Sequence, residues 1–553
     1  DKPFILVEYC HAMGNGPGDL EDYWEIILAD EHACGGFVWE WCDHTVLAGR
    51  DETGREIHLY GGDHGEAVHD GNFCVDGLVA PDRTPHAGLL ELKNVQRPAR
   101  VVDYDQERGL VTLRNDLDFT DLDQYARLSY EIRCDGTVVE SGPLELPGPV
   151  PPHSIVTLRC APAVPDAGRC HLLITSRLRR QVPLLEPGHE LGFDEIPLAN
   201  ADPRHRAVAK ALGPVAEALE AGADVAARPN GAVGCADPAG AVGAGSAVGA
   251  GSAADAADAV RDGCETTLTG GDLTVVVDTR SGLPRSLRVG DRELLDRPME
   301  LNIWRAPTDN DRHIRRQWER AGYDRAGAQA YSTRIIRRRG AVAVHAEMSV
   351  SATALQPALR VRAVWTVTES GELAVNLRAR KSEGFPCLPR FGLRLFLPSS
   401  MHQVAYYGLG PGESYIDKHR SCHHDEFRTT VAELHEGCIR PQESGSRADC
   451  DYVALTEGAD DALELTAVGL RPFSFNVSAY TQEELTETAH DAELSPCGST
   501  VLCLDGAMAG IGSASCGPEL RPEYRVDGGA LGLDLVLLPT LFSPVPAQHN
   551  EVN

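Results

Sequence analysis

The stretch Lys2-Pro3-Phe4-Ile5-Leu6-Val7-Glu8-Tyr9-Cys10-His11-Ala12-Met13-Gly14-Asn15-Gly16-Pro17-Gly18 decides the fold. Phe4, Ile5, Leu6 and Val7 are apolar in succession, without alternation. Such a run fits a strand of a parallel sheet covered on both faces better than a half-exposed antiparallel strand. A glutamate follows at its C-terminal end, and then a glycine-rich turn. In (β/α)₈ barrels the chemistry sits on residues at the C-terminal ends of strands. Residues 20–28, with Trp24, Ile27 and Leu28 at helical spacing, predict the following helix, and residues 36–41 the next strand. Two βα units are far short of the eight in a closed barrel. Residues 1–98 are therefore expected to be the C-terminal part of a barrel domain, and the chain the C-terminal portion of a larger protein.

From about residue 99 the pattern changes to antiparallel β. Asp135-Gly136, between apolar runs, is a two-residue hairpin signal. Residues 99–210 have the size of an immunoglobulin-like β-sandwich. Residues 211–262 collapse into Ala, Gly, Ser and Asp, as in Gly240-Ala241-Val242-Gly243-Ala244-Gly245-Ser246, and predict a flexible linker with too few large apolar side chains to offset ordering entropy. Strand signals return over 263–540, with a turn at Arg280-Ser281-Gly282 and an alternating run at 359–367. Residues 541–553 are expected as a tail. The expected fold class is multidomain, α/β plus all-β.

Length and composition agree. At 553 residues the chain should hold about three domains. A net charge of -31 argues against a nucleic-acid partner, which needs a basic face. No apolar run is long enough to span a bilayer, so no membrane partner is expected. The 16 cysteines are scattered and never form Cys-x-x-Cys, which predicts buried thiols in a reducing, cytoplasmic setting, not a disulfide frame or zinc site.

Glu8-Tyr9-Cys10-His11-Ala12-Met13-Gly14-Asn15 resembles the nucleophile motif of the large β-galactosidases of glycoside hydrolase family 2. Further blocks follow in that family's order: Gly35-Gly36-Phe37-Val38-Trp39-Glu40-Trp41, Tyr60-Gly61-Gly62-Asp63, Phe73-Cys74-Val75-Asp76-Gly77-Leu78, Asp82-Arg83-Thr84-Pro85-His86, Arg305-Ala306-Pro307-Thr308-Asp309-Asn310-Asp311 and Gly408-Leu409-Gly410-Pro411. Their order over almost the whole chain makes the resemblance specific. It implies that 263–540 form the family's large C-terminal β-sandwich.

The resemblance also implies an activity and its residues. The activity is hydrolysis of terminal β-D-galactose by a retaining double displacement, with a β-galactoside as substrate and the intact enzyme a homo-oligomer. Retaining glycosidases need two carboxyl groups ~5–5.5 Å apart, a nucleophile and an acid/base. Glu8 is the expected nucleophile, and the family's acid/base residue precedes it, outside this chain. His11 is expected to bind sugar hydroxyls, Trp39 to floor the galactosyl ring, and Tyr9 and Cys10 to line the wall between. Cys516 takes the place of a family tryptophan on the aglycone side. Phe73 and Asp76 match a Na⁺ (or K⁺) site, with Asp76 where asparagine is more familiar. His69 falls near a Mg²⁺ position, while the main Mg²⁺ ligands precede this chain. Two alternatives stay open. One is a related family 2 β-glycosidase acting on a glucuronide or fucoside, although no carboxylate-binding Arg or Lys is evident around Glu8. The other is a non-catalytic carbohydrate-binding or assembly fragment, favoured by the missing acid/base residue.

Overall fold

The computed structural model describes residues 2–215, 257–458 and 462–541. The opening apolar run is a strand, Phe4–Tyr9, paired in parallel with Ala33–Val38 through the helix Leu20–Ala29. That is the expected βα unit. It differs in burial: Phe4 is 60% exposed and Val7 76%. The reason is pairing. The two strands form a sheet of their own, so the run is covered on one side only. A hairpin (Val46–Arg50 with Glu56–Leu59) and the helix Ala87–Val95 complete the segment. No helix among the described residues is long and apolar enough to cross a membrane.

The next domain is two antiparallel sheets sharing one core. The first orders its strands Glu190–Pro197, Cys170–Leu178, Ala126–Cys134 and Thr137–Leu144; the second pairs Ala99–Asp105, Leu110–Asn115 and Ile155–Arg159. Val111, Leu113, Leu128, Ile132, Leu172 and Ile174 point inward from both. The expected hairpin is present. Cys134 pairs with Thr137 across Asp135 (φ 50°) and Gly136 (φ 75°), the two positive φ values of a type I′ turn.

The expected linker is shorter than its composition suggests. The helix Arg206–Leu212 enters it from one side, and the strand Asp258–Asp262, paired with Glu265–Gly270, enters from the other. Its interior, and the expected tail beyond 541, lie outside the described residues. The last domain joins a five-stranded sheet (258–293) to a twelve-stranded antiparallel one. The latter's central path runs Arg297–Asn302, Arg390–Pro398, Ser499–Met508, Leu463–Ser478, Leu531–Leu541, Leu373–Lys381, Leu359–Thr368, Ala341–Ser351 and Gly327–Arg338. One large core dominates the domain, with smaller apolar clusters beside it. In it the Trp365 indole N–H donates to Gly282 O at 2.8 Å and that of Trp318 to Cys387 O at 2.8 Å, so neither buries an orphan donor.

The glycine-rich turn after Glu8 seats this last domain. At Gly14 (φ 58°) a Cβ would stand 2.3 Å from Gln442 Oε1; at Gly18 it would stand 2.4 Å from Asp417 Oδ2. Only glycine admits that approach. Gly18 N–H donates to Gly512 O (2.9 Å) and Asp19 N–H to Asp417 O (3.1 Å). Between them Asn15 is held on three sides. Its Nδ2 donates to Glu443 O (2.8 Å) and Tyr415 Oη (3.1 Å), and its Oδ1 accepts from Lys418 Nζ (2.8 Å), which is paired with Glu413 (2.6 Å).

Asp19 makes this seam pH-sensitive. It is buried, its Oδ1 lacks a hydrogen-bond partner, and burial, with the charges of Asp417 and Asp22, pushes its carboxyl up to about 8. The folded chain thus keeps a proton that the unfolded chain releases near pH 4. Between about pH 4 and 8 the folded state binds more protons, so this contribution is full at low pH and is lost as pH rises through the folded value, at up to ~1.4 kcal/mol per pH unit. Asp19→Asn removes that loss. Thermal unfolding from pH 5 to 8.5 should show the variant gaining on the parent as pH rises; parallel curves would contradict the assignment.

Candidate active site

Side chains alternate along a strand, so Glu8 and Tyr9 face opposite ways. Tyr9 points into the sheet–helix interface. Its hydroxyl accepts from Trp24 Nε1 at 2.9 Å, its ring lies 5.3 Å from that of Tyr23, and burial pushes its phenol up to about 12. Glu8 points outward with its side chain 51% exposed. At Cys10 the chain turns through a positive φ of 46°. The turn buries the thiol, which contacts Gly18 O at 3.7 Å, and returns His11 to Glu8. His11 Nε2 then lies 3.1 Å from Glu8 Oε2. Tyr9 and Cys10, expected in the substrate wall, therefore serve packing: one is turned by the strand's alternation, the other by the left-handed turn.

Trp39 stands directly after the neighbouring strand. Its ring is 6.2 Å from that of His11, which is equally 6.2 Å from Phe73. The indole keeps a partly open face. Trp41, two residues on, is exposed. Asp76 is buried, its Oδ1 has no hydrogen-bond partner, and burial together with the charges of Glu40 and Asp43 pushes it up to about 7. A buried carboxylate with a free oxygen suits a hard cation, which would hold it ionised. Asp76 thus has one free carboxylate oxygen to offer such an ion. His69 is the residue expected near a Mg²⁺ position. It is exposed, and its Nδ1 accepts from Gly71 N–H at 3.1 Å, which commits the ring to its own turn.

The last domain reaches this group through two residues. The Arg312 guanidinium stands 5.9 Å from the centre of the Phe73 ring and donates to Ser515 O at 3.2 Å. Beside Ser515, the exposed Cys516 thiol is shifted up by burial first, is opposed by Arg312, and is raised further by Glu8 and Asp76, whose charges reach it. Arg312 was missed as a site residue, although the sequence flags its loop. That loop is fastened at its base: Asp309 accepts from Asn72 Nδ2 (3.0 and 3.1 Å) and from Gln442 Nε2 (2.9 Å). Asp43 is also structural, accepting from Gly77 N–H (2.8 Å) and pairing with His86 (2.8 Å). The site thus unites Glu8, His11, Trp39, Phe73, Asp76, Arg312 and Cys516. It combines an accessible carboxylate braced by an imidazole with an open indole face.

Three family models match in succession: "Glycosyl hydrolases family 2, TIM barrel domain" over 1–101, "Beta-galactosidase, domain 4" over 111–199 and "Beta galactosidase small chain" over 269–537. The β-galactosidase of Actinobacillus pleuropneumoniae is 36% identical over 95% of this chain and 46% of its own length. That of Staphylococcus xylosus is 34% identical, over 95% and 48%, and that of Arthrobacter sp. (strain B7) 30% identical, over 95% and 49%. The chain spans about half the length of the curated relatives it matches. A galactose 1-epimerase from Lactobacillus acidophilus NCFM aligns over 52% of this chain at 9% identity with a TM-score of 0.30, too slight a likeness to bear on the fold. With three successive domain models and relatives aligned over 95% of its length, the chain belongs to the β-galactosidases of glycosyl hydrolase family 2.

Proposed function

We propose that a protein carrying this chain, together with the rest of the family's length, hydrolyses terminal β-D-galactosides with retention of configuration. The observation behind this reading is Glu8: a half-exposed carboxylate at the C-terminal end of a parallel strand, braced by His11 and flanked by Trp39. In this reading Glu8 attacks the anomeric carbon, His11 binds a sugar hydroxyl, and Trp39 carries the apolar face of the galactosyl ring. The acid that protonates the leaving oxygen comes from outside this chain, so the chain alone turns over poorly. Residues 1–98 complete a (β/α)₈ barrel, 99–210 an immunoglobulin-like sandwich and 263–540 the large β-sandwich. Asp76, with the Phe73 backbone, would hold Na⁺ or K⁺, which adds a fixed positive charge at the sugar site. The intact enzyme is a cytoplasmic homo-oligomer. The test is the anomer released first, followed by NMR during turnover of an aryl β-galactoside. β-Galactose appearing before mutarotation supports double displacement; α-galactose refutes it.

Cys516 sets the aglycone side in the same reading. Cys516→Trp should add aromatic area worth ~1 kcal/mol, lowering the inhibition constant for glucose several-fold while leaving galactose inhibition unchanged. An unchanged glucose constant with a lowered unfolding midpoint would make Cys516 an ordinary packing residue.

A further inference from the structure

A second cluster lies at the seam between the sandwich and the last domain. His171 and Glu195 come from adjacent sandwich strands, and His424 from the last-domain strand His423–Thr430. One ligand atom from each lies within 4.8 Å of the others. The two imidazoles stack with centroids 4.4 Å apart and planes 1° from parallel. His424 Nδ1 is 2.7 Å from Glu195 Oε2, and its Nε2 is 2.8 Å from Asp449 Oδ2. Asp449 is held in turn by Arg169 Nη2 at 2.6 Å. A cavity of about 290 Å³ opens onto the group.

An ion-pair seam explains part of this. His424 between two carboxylates, and Arg169 between Asp449 and Asp451, are satisfied pairs. It does not explain His171. That imidazole is 3% exposed, and its Nδ1 is buried with no hydrogen-bond partner. An unpaired buried nitrogen costs free energy and needs a reason. A ligand that accepts an imidazole lone pair supplies one.

We propose that His171, His424 and Glu195 form a divalent metal site that fastens the sandwich to the last domain. Nδ1 of His424, a ring nitrogen of His171 and the Glu195 carboxylate are the protein ligands, and water from the cavity completes the shell. Asp449 takes the other ring N–H of His424, the carboxylate–histidine–metal arrangement that orients a ligand. Two imidazoles and one carboxylate favour Zn²⁺, Co²⁺ or Ni²⁺ over Mg²⁺ or Ca²⁺. Charge agrees: with neutral imidazoles, Glu195, Asp449 and Asp451 outweigh Arg169 by two negative charges. On binding, the proton between His424 Nδ1 and Glu195 leaves to solvent and the cation takes its place. The stacked, parallel rings share no plane, so the His171 ring turns about its Cβ–Cγ bond to aim a nitrogen at the ion, and Glu195 turns outward to reach coordination distance.

The experiment is Co²⁺ and Zn²⁺ titration of the chelator-stripped chain, by absorption and calorimetry. One equivalent should bind, with a Co²⁺ ligand-field spectrum lacking a thiolate charge-transfer band, and Zn²⁺ should raise the unfolding temperature. Asp449→Asn should weaken binding roughly 10- to 100-fold and His171→Ala more. If His171→Ala misfolds by circular dichroism, Glu195→Gln and Asp449→Asn decide the matter. No binding at about 100 μM free cation (a Kd weaker than any useful site), a thiolate band, or affinity indifferent to these substitutions would overturn the proposal.

Discussion

Glu8→Gln, in a protein that carries this chain with the remaining family length, should lose on the order of 10⁴–10⁶ in kcat, the scale on which loss of a covalent nucleophile is felt elsewhere. The amide keeps the shape and much of the hydrogen bonding to His11 but cannot attack carbon. Within this chain stability should hold, because the Glu8 side chain is 51% exposed and its polar partner among the described residues is His11 at 3.1 Å. Substitutions at such positions stay within about 0.5 kcal/mol. Galactose should still bind, since the Trp39 face is untouched. Measured by steady-state kinetics beside thermal unfolding, the expected outcome is a dead but folded enzyme. Activity within tenfold of the parent would remove Glu8 from the mechanism.

The second large effect is on stability. Arg305 is wholly buried, and four of the five guanidinium N–H groups are engaged: Nε and Nη2 reach Asp311 at 2.9 and 2.7 Å, while Nη1 and Nη2 donate to Ala509 O and Gly510 O at 2.9 Å each. Asp311 also caps its own turn, accepting Thr308 N–H at 3.0 Å. Asp311→Ala strands a buried cation, which costs ~3–5 kcal/mol. The comparison is Glu265→Ala, which breaks a pair with Arg285 whose side chains are 44% and 50% exposed; that should cost less than ~1 kcal/mol. Urea midpoints of both variants test the contrast. Asp311→Ala should also weaken substrate binding, because Arg312, next in sequence, braces Phe73 and the Ser515 backbone. Equal costs for the two variants would mean that burial does not govern these pairs.

Local features of the fold were legible where one short signal decides them. Asp135-Gly136 specifies its turn because both residues tolerate positive φ, and the apolar run Phe4–Val7 specifies a parallel strand because no antiparallel alternation competes. The twelve-strand order was not legible, since Arg297–Asn302 finds Arg390–Pro398 across nearly a hundred residues and nothing in either names the other. At the site, Glu8, His11 and Trp39 could be named from motifs, and strand alternation could have excluded Tyr9. Cys10 could not be excluded so easily, because its positive φ is set by the turn that Gly18 and the last domain impose. Arg312 and the His171–His424 pair depend on the docking of separate domains, where sequence spacing carries no information. The glycines at 14 and 18 read as a turn by composition, and a Cβ at either would collide with the last domain.

The central claim is that Glu8 forms the covalent glycosyl-enzyme. A mechanism-based 2-fluoro-galactoside slows hydrolysis of that intermediate so that the sugar stays on the nucleophile. Incubated with the full-length enzyme, digested and mapped by mass spectrometry, it should place one fluorogalactosyl group on the peptide containing Glu8, and none in Glu8→Gln. Label on any other carboxylate of the wild-type enzyme would contradict the account.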